Sequence, residues 1–191
     1  MTNKTKILSK SRELFEQYGY QKTTLTDIAK SVGKVKTAIY YYFSGKEEIF
    51  ASLVQTEAET FNKKLFSKVE TVPQAIQKLE LYVDTRMQLM EQLSARYSFL
   101  KQDFFELLPI VEANRIDSDN KEINYVASII EEINKSKEIQ IDNSLFAAKM
   151  LVNTLKGLEI QMYVTNQILI PLHERELFRT SILYGIISTQ S

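Results

Sequence analysis

Hydrogen-bond donors are concentrated in the short run of residues 34–46, which is where this sequence could do chemistry. Two apolar side chains in the run, Ile39 and Phe43, are four residues apart and share one face if the run is helical. The donors then fall on the other faces: Lys36, Thr37, Tyr40 and Tyr41. Lysine and threonine donate to base edges or phosphates in the major groove, and tyrosine hydroxyls suit phosphate oxygens. The pattern therefore predicts a short helix whose polar face contacts nucleic acid.

Two further helices are predicted to position this one. Thr24 and Asp27 have the spacing of a capping box, which begins a short helix that ends at Gly33. A packing helix over residues 5–18 precedes it and stops at Gly19, since glycine tolerates the left-handed backbone of a helix end. Two short helices joined by a tight glycine-containing turn, behind a packing helix, are typical of a tri-helical DNA-binding head.

The run from Thr24 to Phe50 resembles the signature of TetR/AcrR-family transcriptional regulators. The matching features are the threonine before Asp-Ile-Ala, the turn glycine, the Tyr-x-Tyr-Phe run and the Lys-Glu pair that opens the long helix. The likeness is specific over residues 5–50 and only architectural beyond them. It implies a C-terminal body that binds a small molecule and dimerises through its last two helices. The predicted DNA contacts are Thr24, Lys34, Lys36, Thr37, Ala38, Tyr40, Tyr41, Tyr42 and Lys46.

The sequence departs from the family pattern just before the recognition helix. Lys34 stands where an apolar residue is common, and Val35 stands where serine or threonine is common. Valine has no side-chain oxygen to cap the helix, so we expect that helix end to be weaker by about 1 kcal/mol. Lys34 is expected to add a phosphate contact instead.

The rest of the chain is predicted to be helical, because apolar residues recur at helical spacing and no convincing strand pattern appears. The run 44–47 (Ser-Gly-Lys-Glu) is a second capping box, Pro109 should kink or break its helix, and the polar run 117–120 should separate two helices. The expected body helices span about residues 47–70, 74–97, 99–113, 119–136, 143–166 and 174–188. The predicted fold is all-α with about nine helices, divided into a helix-turn-helix domain over residues 1–46 and a regulatory and dimerisation domain over residues 47–191.

The charge distribution favours a nucleic-acid partner for the head. Residues 1–50 hold nine Lys or Arg and five Asp or Glu, a balance of +4, although the whole chain has a formal net charge of +0. The remaining residues therefore carry a balance of −4. Such an asymmetry agrees with a basic head that meets a polyanion and an acidic body that does not, although an excess of four charges over fifty residues also arises by chance.

Other function classes are disfavoured by what the sequence lacks. It has no cysteine, which excludes disulfides, thiolate nucleophiles and cysteine-ligated metals. No paired catalytic residues, phosphate-binding glycine loop or metal cluster appears, so we expect neither an enzyme nor a cofactor. No signal peptide or apolar segment of membrane-spanning length appears, so we expect a cytoplasmic protein without a membrane partner.

The penultimate helix is expected to contact a second copy of the chain. Residues 145–164 are apolar on nearly all sides, so this helix must be covered in several directions. Gly157 and Gly185 would allow close approach of another backbone. The alternative is a monomer that buries these residues internally. The predicted dimer contacts are Leu151, Leu155, Leu158, Met162, Phe178, Ile182 and Gly185.

Arg86 is a charged residue on the apolar stripe of its helix, and a buried charge needs a partner. Either it faces a ligand pocket and receives an acidic group, or it pairs with a carboxylate such as Glu159, or it extends its charge to solvent. We favour the last two over the ligand role. Aromatic residues nearby could line a cavity or form plain core. The candidate pocket residues are Phe61, Tyr82, Arg86, Met90, Tyr97 and Phe104.

Two functions of different classes agree with this sequence. The first is a ligand-responsive repressor, a homodimer that binds a palindromic operator in double-stranded DNA and releases it when a small-molecule inducer binds. The second is a helical small-molecule-binding protein whose head no longer reads DNA specifically. Salt-dependent binding to a defined operator separates the two.

Overall fold

A computed structural model describes residues 3–97, 103–136, 140–165 and 170–186. These residues form α-helices and a 3-10 turn and no strand, so the fold is all-α, as predicted. The eight α-helices are α1 (Asn3–Tyr18), α2 (Leu25–Ser31), α3 (Lys36–Tyr40), α4 (Lys46–Val69), α5 (Ala75–Arg96), α6 (Phe104–Ser136), α7 (Ser144–Thr165) and α8 (Arg175–Ile186). No helix among the described residues is both long and apolar enough to cross a bilayer.

Local sequence signals determine the shape of the head. The predicted capping box at the start of α2 is confirmed: the Asp27 N–H donates to Thr24 Oγ1 at 3.2 Å, and the Thr24 N–H donates to Asp27 Oδ2 at 3.0 Å. Gly33 has a φ of +71° and Gly19 a φ of +85°, so both turn glycines adopt the left-handed conformation expected of them. These caps and turns fix α2 and α3 in the helix-turn-helix arrangement.

The core of the head extends into α4. Ile7, Phe15, Ile39 and Phe43 are each at most 1% exposed, and they belong to the same apolar cluster as Phe50 in the second turn of α4. The head is therefore packed onto the first turns of the long helix. The proposed division between residues 46 and 47 remains an expectation, and the core does not stop there.

The predicted capping box at residues 44–47 is wrong by one residue. Gly45 is the N-cap of α4 and makes no side-chain cap hydrogen bond. The Ser44 N–H instead donates to Glu48 Oε2 at 2.6 Å. Since Ser44 lies outside the helix, the carboxylate that reaches back is Glu48 and not Glu47.

The body packs α5 and α6 against α4, and α7 against α5 and α6. Its core includes Leu79, Val83, Ile130, Leu151 and Leu155, none of them exposed. Helix α8 lies along α5, and two ion pairs join them: Arg175 with Glu91, and Arg179 with Asp84.

Two predicted helices are in fact one. Helix α6 is continuous over 33 residues, contains Pro109, and runs through the predicted polar break at residues 117–120. Its polar residues are used in packing: Asn62 Nδ2 donates to the Ser118 carbonyl at 2.7 Å, and Asp119 Oδ2 accepts from Lys156 Nζ at 2.7 Å. Because these polar groups have partners on α4 and α7, the run forms a polar face of α6 and does not break the helix.

A buried ionic network joins α5, α6 and α7. Arg86 is 0% exposed; its Nε donates to Glu122 Oε1 at 2.6 Å, and its Nη1 pairs with Glu159. Glu159 also accepts from Arg115 Nη1 at 3.1 Å. Burial opposes the charge on Glu159, but Arg86 and Arg115 outweigh it and hold the pKa of its carboxyl below the ordinary value. Arg86 thus has the internal carboxylate partner that the sequence left open, together with Glu122.

Replacing Arg86 should strongly destabilise the protein. Arg86→Met leaves Glu122 and Glu159 buried without their shared cation, so we expect the free energy of unfolding to fall by about 3–5 kcal/mol. Urea unfolding at fixed protein concentration measures this loss. Lys10→Met, which removes an exposed pair with Glu13, is the control and should have far less effect. Equal stability of the two variants would contradict a structural role for Arg86.

Candidate nucleic-acid interface and internal cavity

Helix α3 presents its donors to solvent, as its spacing predicts. Ile39 is 0% and Phe43 1% exposed, and both pack into the core of the head. Lys36, Thr37 and Tyr40 are exposed, and Tyr41 is 84% exposed. The Lys36 ammonium lies 5.9 Å from the centre of the Tyr40 ring. The outer face of α3 therefore carries an ammonium and three hydroxyls, groups that suit base edges and phosphates.

Val35 leaves the start of α3 without a side-chain cap, as expected. It is the N-cap residue, with an extended backbone (φ −86°, ψ 156°) and no side-chain cap hydrogen bond. Its side chain is 69% exposed. The neighbouring Lys34 is half-buried, and its backbone N–H donates to the Ala29 carbonyl at 2.9 Å.

Other predicted contact residues have different surroundings. Thr24 is exposed, but its hydroxyl donates to Asp27 Oδ2 at 2.6 Å and is occupied in the capping box. Ala38 is half-buried. The Tyr42 hydroxyl accepts from Asn3 Nδ2 at 3.1 Å and so joins the end of the recognition helix to α1. The free donors of the interface therefore lie mainly on α3.

Lys46 has an internal role that the sequence did not indicate. Its Nζ donates to the carbonyl of Tyr20 at 2.8 Å and lies 4.2 Å from the centre of the Tyr20 ring. Burial lowers the pKa of Lys46, while Asp103 and Glu106 act in the opposite direction. The side chain therefore fastens the start of α4 to the loop between α1 and α2. Its ammonium already donates to two backbone carbonyls, those of Tyr20 and Gln21. The predicted phosphate contact of Lys46 stays a prediction.

The start of α6 touches the head. Gln21 Nε2 donates to Glu106 Oε1 at 2.7 Å, and the Gln21 N–H donates to Asp103 Oδ2 at 3.4 Å. Leu107, 2% exposed, belongs to the apolar cluster of the head. A movement of α6 would therefore displace groups that contact the helix-turn-helix.

A cavity of about 80 Å³ lies between α4, α5, α6 and α7. Four predicted pocket residues line it: Phe61, Met90, Tyr97 and Phe104. Tyr82 and Arg86 do not, and that part of the prediction is wrong: both are 0% exposed and lie behind Glu122, which does face the cavity. The sequence could not reveal this, because the stripe on α5 shows burial but not what covers it.

Polar groups missed by the sequence reasoning also line the cavity. Glu57, Arg115, Asp119 and Glu122 reach its wall from α4 and α6. Arg115 is engaged by Glu159 and lies 3.5 Å from Asp119 Oδ1. No feature of the sequence distinguished these residues from ordinary surface charges on amphipathic helices.

The cavity and the core of the head share part of their walls. Phe50 and Leu53 of α4, Tyr97 of the α5 end and Leu107 of α6 all line the cavity and all belong to the apolar cluster of the head. A molecule in the cavity would therefore contact residues that support the helix-turn-helix.

Three predicted dimer contacts are wrong. Leu151 and Leu155 are 0% and Met162 is 2% exposed, so they form the core of this chain and cannot reach a partner. Leu158, Phe178 and Ile182 are partly buried against the same core, and Gly185 is exposed. A helix that is apolar on all sides does not reveal which stripe faces inward. The outward face of α7 comprises Leu145, Phe146, Lys149, Met150, Asn153, Thr154, Gly157, Ile160 and Gln161.

The head is similar to known regulatory domains. Residues 7–53 match the family described as bacterial regulatory proteins, tetR family. The chain is 44% identical over 52 residues to the biofilm operon icaADBC HTH-type negative transcriptional regulator IcaR of Staphylococcus epidermidis, a match that spans 27% of this chain and 28% of that protein. The aligned part is thus little more than a quarter of the relative's length.

The whole chain is similar in fold to solved regulators. A transcriptional regulator from Cytophaga hutchinsonii matches with a TM-score of 0.68 and 25% identity, over 95% of this chain and 93% of that one. The transcriptional regulator FadR from Bacillus subtilis in complex with stearoyl-CoA matches with a TM-score of 0.67 and 20% identity, over 98% of each chain. The second likeness concerns the fold alone.

Supplying the missing cap should stabilise the head. Val35→Ser places a hydroxyl where the extended backbone lets it accept from an N–H of the first turn of α3, so we expect a gain of about 1 kcal/mol. Thermal or urea unfolding at fixed protein concentration tests this. Val35→Ala is the matched control, because it removes the same exposed side chain without supplying a cap. If serine and alanine gave the same stability, the open helix end would not limit the stability of the fold.

Proposed function

We propose that this chain is a transcriptional regulator of the tetR family, a repressor that binds a palindromic operator as a homodimer. A small molecule in the internal cavity releases it from DNA. The observation that carries this proposal is the wall shared by the cavity and the head, formed in part by Phe50, Leu53 and Leu107. DNA binding also implies that the protein acts in the cytoplasm.

The exposed face of α3 supports operator binding. Lys36, Thr37 and Tyr41 project from a helix whose other face is fixed in the core. The balance of +4 over residues 1–50 favours approach to the phosphate backbone. Repression is proposed because the similar protein of S. epidermidis is named a negative regulator.

The outward face of α7 supports a second copy as partner. Phe146 and Met150 are 61% and 49% exposed, and Leu177 of α8 is 69% exposed, although all three are large apolar side chains. A Cβ added to Gly157 or Gly185 would have nothing within 4 Å inside this chain, so a partner helix can approach closely at both. Exposed apolar patches of this kind mark interaction sites. A two-fold pairing would give two heads for the two halves of a palindrome.

The effector acts by favouring one arrangement of the head. A ligand changes an equilibrium only if it binds one state more tightly than the other. A molecule that fills the cavity contacts Leu53, Tyr97 and Leu107, which support the head. It also contacts α6, whose Glu106 accepts a hydrogen bond from Gln21 of the head. We infer that the cavity is larger in the state that does not bind DNA, so that the effector favours release.

Thr37 and Lys36 should contribute to DNA binding in different ways. Thr37→Ala should lower the discrimination between operator and random DNA by about 1–3 kcal/mol, because a threonine hydroxyl can contact a base edge. Lys36→Ala should weaken binding to both, and should reduce the slope of log affinity against log salt by about 0.9 if the ammonium contacts one phosphate. Fluorescence polarisation with an operator selected from random DNA measures both. Unchanged discrimination in Thr37→Ala would show that α3 is docked differently.

Gly157→Glu should convert the dimer to a monomer. A Cβ at Gly157 has nothing within 4 Å inside the chain, and the site is exposed, so we expect folding to be spared while a charge enters the proposed interface. Light scattering at micromolar concentration should give twice the chain mass for the wild type and the single mass for the variant. Ala113→Glu, at an exposed site on α6 beside Gly45 and Glu48, is the control and should stay dimeric. A wild-type monomer that binds a palindrome tightly would overturn the proposed mechanism.

A further inference from the structure

Glu122 brings a carboxylate to the cavity wall. Glu122 is 1% exposed and lines the cavity. Its Oε1 accepts from the Tyr82 hydroxyl at 2.6 Å and from Arg86 Nε at 2.6 Å. No donor among residues 3–97, 103–136, 140–165 and 170–186 reaches Oε2. A carboxylate oxygen at a cavity wall that no protein group donates to can accept a hydrogen bond from a molecule bound in the cavity, and such a molecule gains affinity.

The rest of the polar wall disfavours an acid. Glu57 and Asp119 add two more carboxylates to that of Glu122. The one guanidinium at the wall, Arg115, already donates to Glu159 at 3.1 Å. The other cations paired with these carboxylates, which include Arg12 for Glu57 and Lys156 for Asp119, do not line the cavity. An acidic molecule would therefore face carboxylates without an unengaged cation, and its charged form would be disfavoured. The available polar interaction is acceptance of a hydrogen bond.

The remaining wall is apolar and aromatic. Phe104 and Tyr163 are stacked with their ring centres 5.8 Å apart, and Phe61 and Met90 also line the cavity. Burial raises the pKa of Tyr163, with Glu159 adding to the shift, so its hydroxyl stays neutral. An alkyl or aryl group gains free energy when it leaves water for such a surface.

We propose that the cavity binds an apolar molecule that carries a hydrogen-bond donor, a hydroxyl or an amine, and that this group donates to Glu122 Oε2. The inference rests on the proposed function, since it names the chemical class of the effector. Neutral and cationic donors share this chemistry. The aromatic wall accommodates either, because an ammonium is attracted to ring faces and a hydroxyl needs only the hydrogen bond.

A matched series of ligands tests the class on the wild-type protein. Isothermal titration calorimetry without DNA compares 1-octanol, octylamine, octanoic acid and methyl octyl ether, which have the same chain and differ in the polar group. A hydrogen bond to a charged acceptor corresponds to about 10- to 100-fold in affinity. We expect the alcohol, the amine or both to bind at least tenfold more tightly than the ether and the acid. Equal binding of alcohol and ether, tighter binding of the acid, or no binding of any member would overturn the proposal.

Two variants of the ionic network around Arg86 test whether the donor group of the ligand contacts Glu122. Glu122→Gln and Glu159→Gln each remove one carboxylate from Arg86, but only Glu122 lines the cavity. The preference for alcohol over ether should disappear in Glu122→Gln and persist in Glu159→Gln. A loss of preference in both variants, or in neither, would contradict direct contact with Glu122. If Glu122→Gln does not fold, the wild-type series alone decides.

Operator release separates this inference from the proposed function. The same octyl compounds are added to the complex of the protein with labelled operator, and polarisation reports release. Binding that depends on Glu122 without release supports the inference and counts against the proposed function. Release by these compounds that is unchanged in Glu122→Gln supports the proposed function and overturns the inference.

Discussion

The paired charge of Arg86 is the constraint on which the body depends. A guanidinium that is 0% exposed can remain charged only if carboxylates are brought to it, and they come from two different helices, Glu122 on α6 and Glu159 on α7. Meeting both at once fixes how α6 and α7 lie along α5. In the same arrangement Glu122 lines the cavity. The polar character of the proposed ligand site is thus a by-product of a structural requirement.

The head could be predicted from the sequence because its signals are local. The Thr24 cap, the turn at Gly33 and the i, i+4 pair of Ile39 and Phe43 each act within a few residues, and all of them agree with the structure. Even there, long-range contacts were missed: nothing near Lys46 in the sequence indicates that its ammonium would bind the Tyr20 carbonyl.

The body was harder to predict, because its features depend on which face of each helix points inward and on which other helices it contacts. A polar run breaks a helix only if its groups lack partners, and Ser118 and Asp119 find theirs on α4 and α7. Helix α7 is apolar all round, so Leu151 and Leu155 could not be distinguished from outward residues by composition. Which carboxylates reach Arg86, and which side chains line a cavity between four helices, follow from tertiary packing alone.

The shared wall of head and cavity has a genetic consequence. Phe50, Leu53 and Leu107 support the helix-turn-helix and also enclose the cavity. Under the proposed function, an allele that alters one of them would change operator occupancy and the inducer concentration needed for derepression together. Selections for altered induction would then return alleles at Phe50 and Leu53, which adjoin the helix-turn-helix, as well as at Leu107, and their phenotypes would mimic defects in DNA binding.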